Sequence, residues 1–129
     1  MSDDARLEAN KAVAHRLHFD IIGNNDHALA REIVHSEFVV HGPGADLEKD
    51  PRGPDGAIKM AIDDNEMFPD GMEFEHFDTM AQGDYVAFRW VLRGRYKDAS
   101  ESGEFWGIDI IRIKEGKIAE AWLAYPGGP

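Results

Sequence analysis

The sequence contains no cysteine. Disulfides, thiolate metal sites and a cysteine nucleophile are therefore excluded by composition alone. Apolar runs long enough to cross a membrane are also missing, and the acidic N-terminal segment MSDDARLEANK lacks the apolar stretch of a secretory signal. We therefore expect a cytoplasmic protein with no membrane partner.

Basic residues are scarce. Fourteen Lys and Arg stand against twenty-five Asp and Glu, for a formal net charge of −11. Such a surface repels phosphate backbones and anionic lipids, so we expect no nucleic-acid partner. The 129 residues, 43% of them hydrophobic, suffice for one continuous core, and we expect a single domain over residues 1–129.

Three segments have the apolar spacing of helices. The first runs from about Asp3 to Ile22, where apolar residues recur every three or four positions and Gly23 ends the pattern. The turn Asn24–Asp26 caps a second helix, His27 to Val34. A third begins at Pro54 and runs to about Met67.

The rest of the chain alternates with the period of strands. Glu37–His41 predicts a short strand, and the Gly- and Pro-rich segment from Gly42 to Pro54 predicts a long irregular loop, suited to act as a lid. Four more strands follow, and their short polar connections favour an antiparallel meander: Met72–Ala81, Tyr85–Tyr96, Gly103–Ile113 and Lys117–Tyr125. The order predicts an α+β domain whose three helices pack on one face of a largely antiparallel sheet around a pocket.

Several short motifs resemble the SnoaL-like polyketide and ester cyclases of the nuclear transport factor 2-like superfamily. In chain order they are Asn10-Lys11, Asn24-Asn25-Asp26, Phe38 to Pro43, Gly53 to Gly56, Phe68-Pro69-Asp70, Gly83 to Trp90, Gly107 to Ile113 and Glu115 to Ile118. The resemblance implies a cone-shaped α+β barrel. It says less about the reaction, because this scaffold hosts cyclases, dehydratases, isomerases, hydrolases and non-enzymes.

One departure from the family pattern concerns the last strand. Polyketide cyclases of this kind typically carry a His there and, two residues later, the Asp that is the presumed acid/base of the aldol ring closure. Aligned on Gly116-Lys117-Ile118, those positions are Ala121 and Leu123 in this chain. We therefore do not expect the familiar aldol mechanism, and we expect Leu123 to line the pocket.

Asp109 is the leading candidate for an acid/base. It lies in a run that is apolar on both faces, Trp106 to Ile111, so its carboxyl group is expected in the interior, where burial raises the pKa. An acid of this kind can transfer protons near neutral pH. The alternative is a structural Asp that pairs with Arg89 or a Tyr.

His41 and Arg89 are the candidate partners of Asp109. His41 ends the first strand beside the proposed lid, and imidazole suits proton transfer at neutral pH. Arg89 alternates with apolar neighbours and is able to orient an anionic or carbonyl oxygen. The alternatives are a His that hydrogen-bonds loop backbone and an Arg held in a salt bridge.

The first helix carries His15 and His18 three residues apart, at the edge of its apolar stripe. This helix commonly lines the pocket in the superfamily, so both are candidate substrate-binding residues, the alternative being boundary residues of the core. We expect His35 and His76 to be exposed. No spacing predicts a metal site, and we expect neither a metal nor a cofactor.

Aromatic side chains are abundant in the last four strands. We expect Tyr85, Trp90, Trp106 and Tyr125 to contribute to the pocket, while outward-facing apolar groups would form a patch too large for a monomer. Because Ile108, Ile110 and Trp122 fit the outer face, we expect a homodimer formed through the sheet. Asp63, Asp64 and Glu66 have the spacing of a solvated helix face.

Two functions remain open at the level of sequence. The first is a cofactor-independent enzyme of cyclase, isomerase, dehydratase or lyase type, with Asp109 and His41 as its acid/base set and a small apolar oxygenated or aromatic molecule as its substrate. The second is a domain that binds a small ligand, or dimerises, without catalysis.

Overall fold

A computed structural model describes residues 2–126; Met1 and residues 127–129 of the predicted domain lie outside the described part. Helix α1 spans Asp3–Arg16 and continues as a π-helical segment over Leu17–Ile22; α2 spans His27–Ile33 and α3 Pro54–Met67. Ser2 and Asp26 cap α1 and α2 by accepting backbone N–H groups, and Pro54 opens α3. The three predicted helices are thus confirmed.

Five strands form one sheet. They are β1 (Val34–His41), β2 (Glu73–Gln82), β3 (Tyr85–Gly94), β4 (Gly103–Lys114) and β5 (Lys117–Ala124). Their order across the sheet is β1-β5-β4-β3-β2. The predicted antiparallel meander is confirmed for β2 to β5, while β1 pairs parallel with β5. Because β1 and β2 are the edges and do not pair, the sheet does not close into a complete barrel.

The two faces of the sheet differ in burial. Along β4 the side chains alternate strictly: Asp109, Ile111 and Ile113 are buried, whereas Ile108 and Ile110 are exposed. The buried face packs against the helices, and the core between them includes Leu17, Ile21, Phe38 and Phe88. Period-2 alternation in the sequence thus identifies the face on which a site is able to form.

The first helix differs from the prediction in its last turn. Gly23 donates its N–H to the carbonyl of His18 at 2.8 Å, a bond five residues back along the chain instead of four. Such wide turns are rare and are found frequently at functional sites. This one contains His18, which is buried.

The segment between β1 and α3 is irregular, as predicted. Residues 42–53 contain turns and bends but no helix or strand, and they cover one side of a cavity. Within the described part of the chain, no helix is long and apolar enough to cross a membrane.

Candidate active site

A cavity of about 560 Å³ lies between the inner face of the sheet, the helices and the 42–53 loop. This volume is typical of pockets for small organic molecules. Its wall is mostly apolar and aromatic, with contributions from Ile22, Phe38, Val40, Pro43, Leu47, Met60, Met67, Phe68, Phe74, Trp90, Phe105, Leu123 and Tyr125. The polar side chains in the wall are few: His18, Asp50, Lys59, Asp63, Asp64, Glu104 and Asp109.

Asp109 lies in the cavity wall with 0% of its surface exposed, so the predicted burial of this residue is what the structure shows. In the sheet it stands opposite Phe88 of β3 and Leu123 of β5. Trp90 donates its indole N–H to Oδ1 of Asp109 at 2.8 Å. One carboxyl oxygen is thereby fixed, and the group is held in an otherwise apolar part of the wall.

Gly107 makes room for that hydrogen bond. It pairs with Trp90 across the β3–β4 ladder, and a Cβ atom at this position would overlap the indole ring and lie 2.7 Å from the carbonyl oxygen of Ala124. Only glycine therefore lets the ring lie across the strand and reach Asp109, two residues further along β4.

His18 is the nearest base to Asp109. Its Nε2 lies 2.9 Å from Oδ2 of Asp109, and the two side chains are 5% and 0% exposed. The distance is that of an ion pair, but no donor within the described residues is aligned for a hydrogen bond to Oδ2. The imidazole stacks on Phe74 with ring centroids 4.6 Å apart and meets Trp90 edge-on. This aromatic packing, together with the contact of His18 Nδ1 with His76 Nε2 at 2.8 Å, sets the orientation of the imidazole.

Asp64 is a second acid of the cavity. Burial, followed by the nearby carboxylates of Asp63 and Asp109, raises the pKa of Asp64 to about 6, although His18 acts in the opposite direction. We had expected Asp64 to face water with Asp63 and Glu66. The structure corrects this for Asp64, which lines the cavity from α3; Asp63 borders the cavity with its side chain still 48% exposed, and Glu66 is exposed.

His41 lies elsewhere. Its Nε2 is 2.5 Å from Oε2 of Glu120, and its ring stacks on Trp122 at 5.2 Å. Burial alone would raise the pKa of Glu120, but the hydrogen bonds from His41 and Arg112 lower it. His41 is not among the residues that line the cavity, so the expected pairing of His41 with Asp109 is not found. Phe38, Val39 and Val40 line the cavity from β1, whereas the side chain of His41 lies against Glu120 and Trp122 of β5.

Arg89 and Tyr85 also lie outside the cavity. Arg89 donates from Nε to Asp78 at 2.7 Å and lies over the ring of Phe77, an exposed arrangement that corresponds to the structural alternative. Tyr85 is 48% exposed on the outer face of the sheet. Trp106 is 57% exposed but does contribute to the cavity wall.

The remaining candidates divide between the cavity and the first helix. Leu123 and Tyr125 line the cavity, and the Tyr125 hydroxyl donates to the carbonyl of Pro43 at 3.3 Å, which ties the end of β5 to the loop. Burial raises the pKa of Tyr125. His15 does not line the cavity; its ring contacts His76, which is partly buried and not exposed as expected.

The sequence did not predict a role for three residues in or beside the site. Asp64 looked like one of three solvated acids, His76 looked exposed on a strand, and Gly107 carried no signal apart from its position two residues before Asp109. The alternation in β4 places Gly107 on the same face as Asp109, and that was the available clue. Within residues 2–126, no three His, Asp or Glu side chains are arranged to hold one metal ion.

Helices pack on one face of an open five-stranded sheet, and a loop covers the cavity between them. This arrangement is an α+β fold of the nuclear transport factor 2-like type. The chain belongs to the SnoaL-like polyketide cyclase family, whose model matches residues 12–126. No curated protein sequence matches the chain.

Solved structures agree with this assignment. A candidate polyketide cyclase from Bacillus cereus ATCC 10987 is 24% identical, with 91% of this chain and 74% of that chain covered and a TM-score of 0.73. A candidate polyketide cyclase from Acidithiobacillus ferrooxidans is 16% identical over 98% and 92% of the two chains, with a TM-score of 0.78. AclR of Streptomyces galilaeus, a candidate hydroxylase, is 16% identical over 92% and 79%, with a TM-score of 0.71. At these identities the likeness concerns the fold.

Proposed function

We propose that the protein is an enzyme that transfers protons on a small, apolar, oxygenated molecule held in the cavity, with Asp109 and His18 as its acid/base pair. The observation that carries the proposal is a carboxyl group withdrawn completely from solvent in the wall of a ligand-sized cavity, with one oxygen fixed by Trp90 and the other beside an imidazole. Buried, specifically partnered acids in clefts are typical of catalytic sites.

The composition of the cavity supports the substrate class. Apolar and aromatic side chains dominate the wall, which favours a compact molecule with rings or alkyl groups. The acids near the cavity outnumber the single lysine, Lys59, and that lysine lies 2.7 Å from Asp63 and 3.8 Å from Asp50. A neutral ketone or enol therefore fits better than a carboxylate or a phosphate ester, which these acids would repel.

The proposed proton transfer uses both Asp109 and His18. Oδ2 of Asp109 has no aligned hydrogen bond, so it is available to take a proton from a carbon next to a carbonyl group, and His18 then balances the charge or carries the proton onward. Asp64, with a pKa of about 6, is suited to return a proton to the developing enolate oxygen. Cyclisation, isomerisation, dehydration and retro-aldol cleavage all contain this step, and none of these roles requires a cofactor.

Deuterium exchange tests the step without knowledge of the natural substrate. With α-tetralone, an apolar bicyclic ketone, as the probe in D₂O, loss of the α-proton signal in NMR reports proton abstraction. We expect Asp109→Asn to lower the enzyme-catalysed exchange by about 10²- to 10⁴-fold, the usual contribution of a general base. Asp78→Asn is the matched control, because that carboxylate is exposed and pairs with Arg89. Equal rates for Asp109→Asn and wild type would remove Asp109 from the mechanism.

A non-catalytic binding domain is the second candidate, and Leu123 favours it. This residue lines the cavity beside Asp109, its partner on the neighbouring strand β5. It occupies the position where the resembling cyclases carry their presumed acid/base. The test is a thermal-shift panel of aromatic ketones against wild type and Leu123→Trp, which fills the cavity. Binding that Leu123→Trp abolishes, without any exchange of α-protons, is the result expected for this function.

We also propose that two copies of the chain associate through the outer face of the sheet. Met80, Tyr85, Trp106, Ile108 and Ile110 are all exposed there, between 41% and 65%. The arginines around this patch, Arg89, Arg93 and Arg112, are already paired with carboxylates of their own chain, so the patch offers apolar area rather than free charge. Light scattering after size-exclusion chromatography is expected to show a dimer that Ile110→Glu converts to a monomer.

A further inference from the structure

Three histidines continue outward from Asp109 in single file. Nδ1 of His18 lies 2.8 Å from Nε2 of His76. Nδ1 of His76 lies 2.6 Å from Nδ1 of His15, and Nε2 of His15 lies 3.1 Å from the hydroxyl of Thr79. Each imidazole thus uses both of its nitrogens, one toward Asp109 and one away from it.

The row leads away from the cavity. His18 is part of the cavity wall, whereas His76, His15 and Thr79 are not. His76 is enclosed between the rings of Phe19 and Phe88, each stacked with its centroid 4.2 Å away. His15 and Thr79 are partly exposed where α1 meets β2. The row therefore joins a buried acid to the surface of the protein by a route other than the cavity.

Two sets of tautomers satisfy every contact, one with the shared protons directed outward along the row and one with them directed inward. If His18 carries protons on both nitrogens, its Nε2–H faces Asp109 and its Nδ1–H donates to Nε2 of His76. His76 then carries its proton on Nδ1 and donates to Nδ1 of His15, which carries its proton on Nε2 and donates to Thr79. Every proton shared between two members of the row then points outward, and the opposite set results once one proton has passed along the row; a stepwise proton shift needs these two states.

We propose that His18, His76 and His15 form a proton relay that connects Asp109 with solvent beside Thr79. This proposal rests on the proposed function, because the relay serves the proton that Asp109 gains or loses in each turnover. In the outward direction, the Nδ1 proton of His18 passes to Nε2 of His76, the Nδ1 proton of His76 passes to Nδ1 of His15, and His15 releases its Nε2 proton to solvent. One proton leaves and the positive charge moves with it; the inward direction reverses each transfer.

The electrostatics of the row suit a relay in which the middle ring does not keep the proton. Burial, together with His18 and His15, lowers the pKa of His76 to about 2. Burial also lowers the pKa of His15, with His18 and Lys11 acting in the same direction. The acids that face His18 are Asp109, at 2.9 Å, and Asp64 of α3. Positive charge is thus disfavoured at His76 and His15, so a proton passes through these two rings without staying on them.

Solvent exchange of the His18 ring protons tests the relay in the ligand-free protein. With ring-¹⁵N histidine, long-range ¹H–¹⁵N spectra assign the tautomers and water-selective exchange measures the rate. His76→Phe keeps the stack with Phe19 and Phe88 but removes both nitrogens. We expect it to slow exchange at His18 by at least about tenfold, since the routes that remain are local opening and the 5% of the side chain that is exposed. His27→Phe, an equal change at a histidine outside the row, is expected to leave the rate unchanged.

Two results would overturn the relay. One is an unchanged His18 exchange rate in a folded His76→Phe protein. The other needs no variant, and decides the matter if His76→Phe does not fold: wild-type spectra that place the proton on Nε2 of both His76 and His15, or on Nδ1 of both, break the chain of donors. Neither measurement uses turnover, so a failed relay is distinguishable from a failed acid/base role of Asp109, which the exchange of α-tetralone protons tests separately.

Discussion

Of the three histidine–carboxylate pairs in the described residues, two lie on opposite faces of the same sheet; the third, His35 with Glu115, joins β1 to the turn between β4 and β5. On the inner face, His18 and Asp109 are 5% and 0% exposed. On the outer face, His41 and Glu120 are 31% and 19% exposed, and Arg112 donates to the second oxygen of Glu120 at 3.0 Å. The outer carboxylate has a hydrogen-bond partner on each oxygen and contact with solvent. The inner one has a single indole bond and an imidazole at ion-pair distance.

This difference in burial and hydrogen bonding shows that residue type alone does not define an acid/base site. The carboxylate of Glu120 is hydrogen-bonded on both oxygens and partly hydrated, whereas Oδ2 of Asp109 is buried without an aligned donor in the described residues. The outer pair is an element of surface structure. The inner pair has the unsatisfied hydrogen-bonding capacity that a substrate is able to meet.

Breaking the inner pair should have the largest effect. His18→Leu leaves the buried carboxylate without its partner, and we expect it to lower the free energy of unfolding at pH 7 by about 3–5 kcal/mol. The matched outer change, His41→Leu, should lower it by about 1 kcal/mol or less, because Glu120 keeps Arg112 and solvent. Urea unfolding of the two variants measures the comparison.

A double variant separates the charge from the packing. In His18→Leu/Asp109→Leu both polar groups are replaced by apolar ones, so most of the lost stability should return, as happens when buried ion pairs are replaced as a unit. A double variant no more stable than His18→Leu would show that the loss comes from packing of the ring against Phe74 and Trp90 instead of from the orphaned carboxylate.

The pKa values of Asp64 and Glu37 show the same difference between inner and outer acids. Glu37, on the outside, has its pKa lowered by hydrogen bonds from Lys114 and Arg112, whereas burial raises the pKa of Asp64 from 3.8 to about 6. Because the pKa of Asp64 is higher in the folded protein than in the unfolded chain, this group contributes stability that is fully present below pH 3.8. That contribution is lost as the pH rises to about 6. Asp64→Asn removes this loss, so it should stabilise the protein by up to about 3 kcal/mol at pH 7 and by nothing near pH 3.5.

Chemical unfolding between pH 3.5 and pH 7.5 checks this difference, with Glu66→Gln of the same helix as the exposed control. A stabilisation by Asp64→Asn that does not change with pH would contradict the assignment, because it would have to come from something other than the ionisation of this carboxyl group.

The fold was largely predictable because it depends on periodicity. Apolar residues at spacings of three and four gave the helices, period 2 gave β2 to β5, and Pro54 marked the start of α3. The parallel pairing of β1 with β5 was not predictable, because strands that are distant in the chain leave no local signal of their partner. The wide turn at Leu17–Ile22 was hidden for a similar reason: its apolar spacing also fits an ordinary helix.

The site was predictable only in part. Asp109 stood out as a carboxyl group inside an apolar run, and alternation alone was enough to bury it. Its partner was not deducible, because His18 and His41 are both plausible by type and the choice depends on which face of the sheet each one meets. His76 and Asp64 were missed because long-range packing buries them, against Phe19 and Phe88 in one case and beside the cavity in the other.

The smallest expected effect concerns the glycine that shapes the inner wall. In Gly107→Ala the new methyl group collides with the indole of Trp90 and with the carbonyl oxygen of Ala124, both held within the sheet. Overpacking of this kind typically lowers stability by about 1–3 kcal/mol. Gly103→Ala, on the same strand, would meet only the ring edge of Phe105 at 3.2 Å and should be nearly neutral. The indole N–H resonance of Trp90 provides a second readout: in Gly107→Ala it should move upfield as the bond to Asp109 lengthens. A variant that keeps this resonance and full stability would mean that the indole of Trp90 reaches Asp109 without the space that glycine provides.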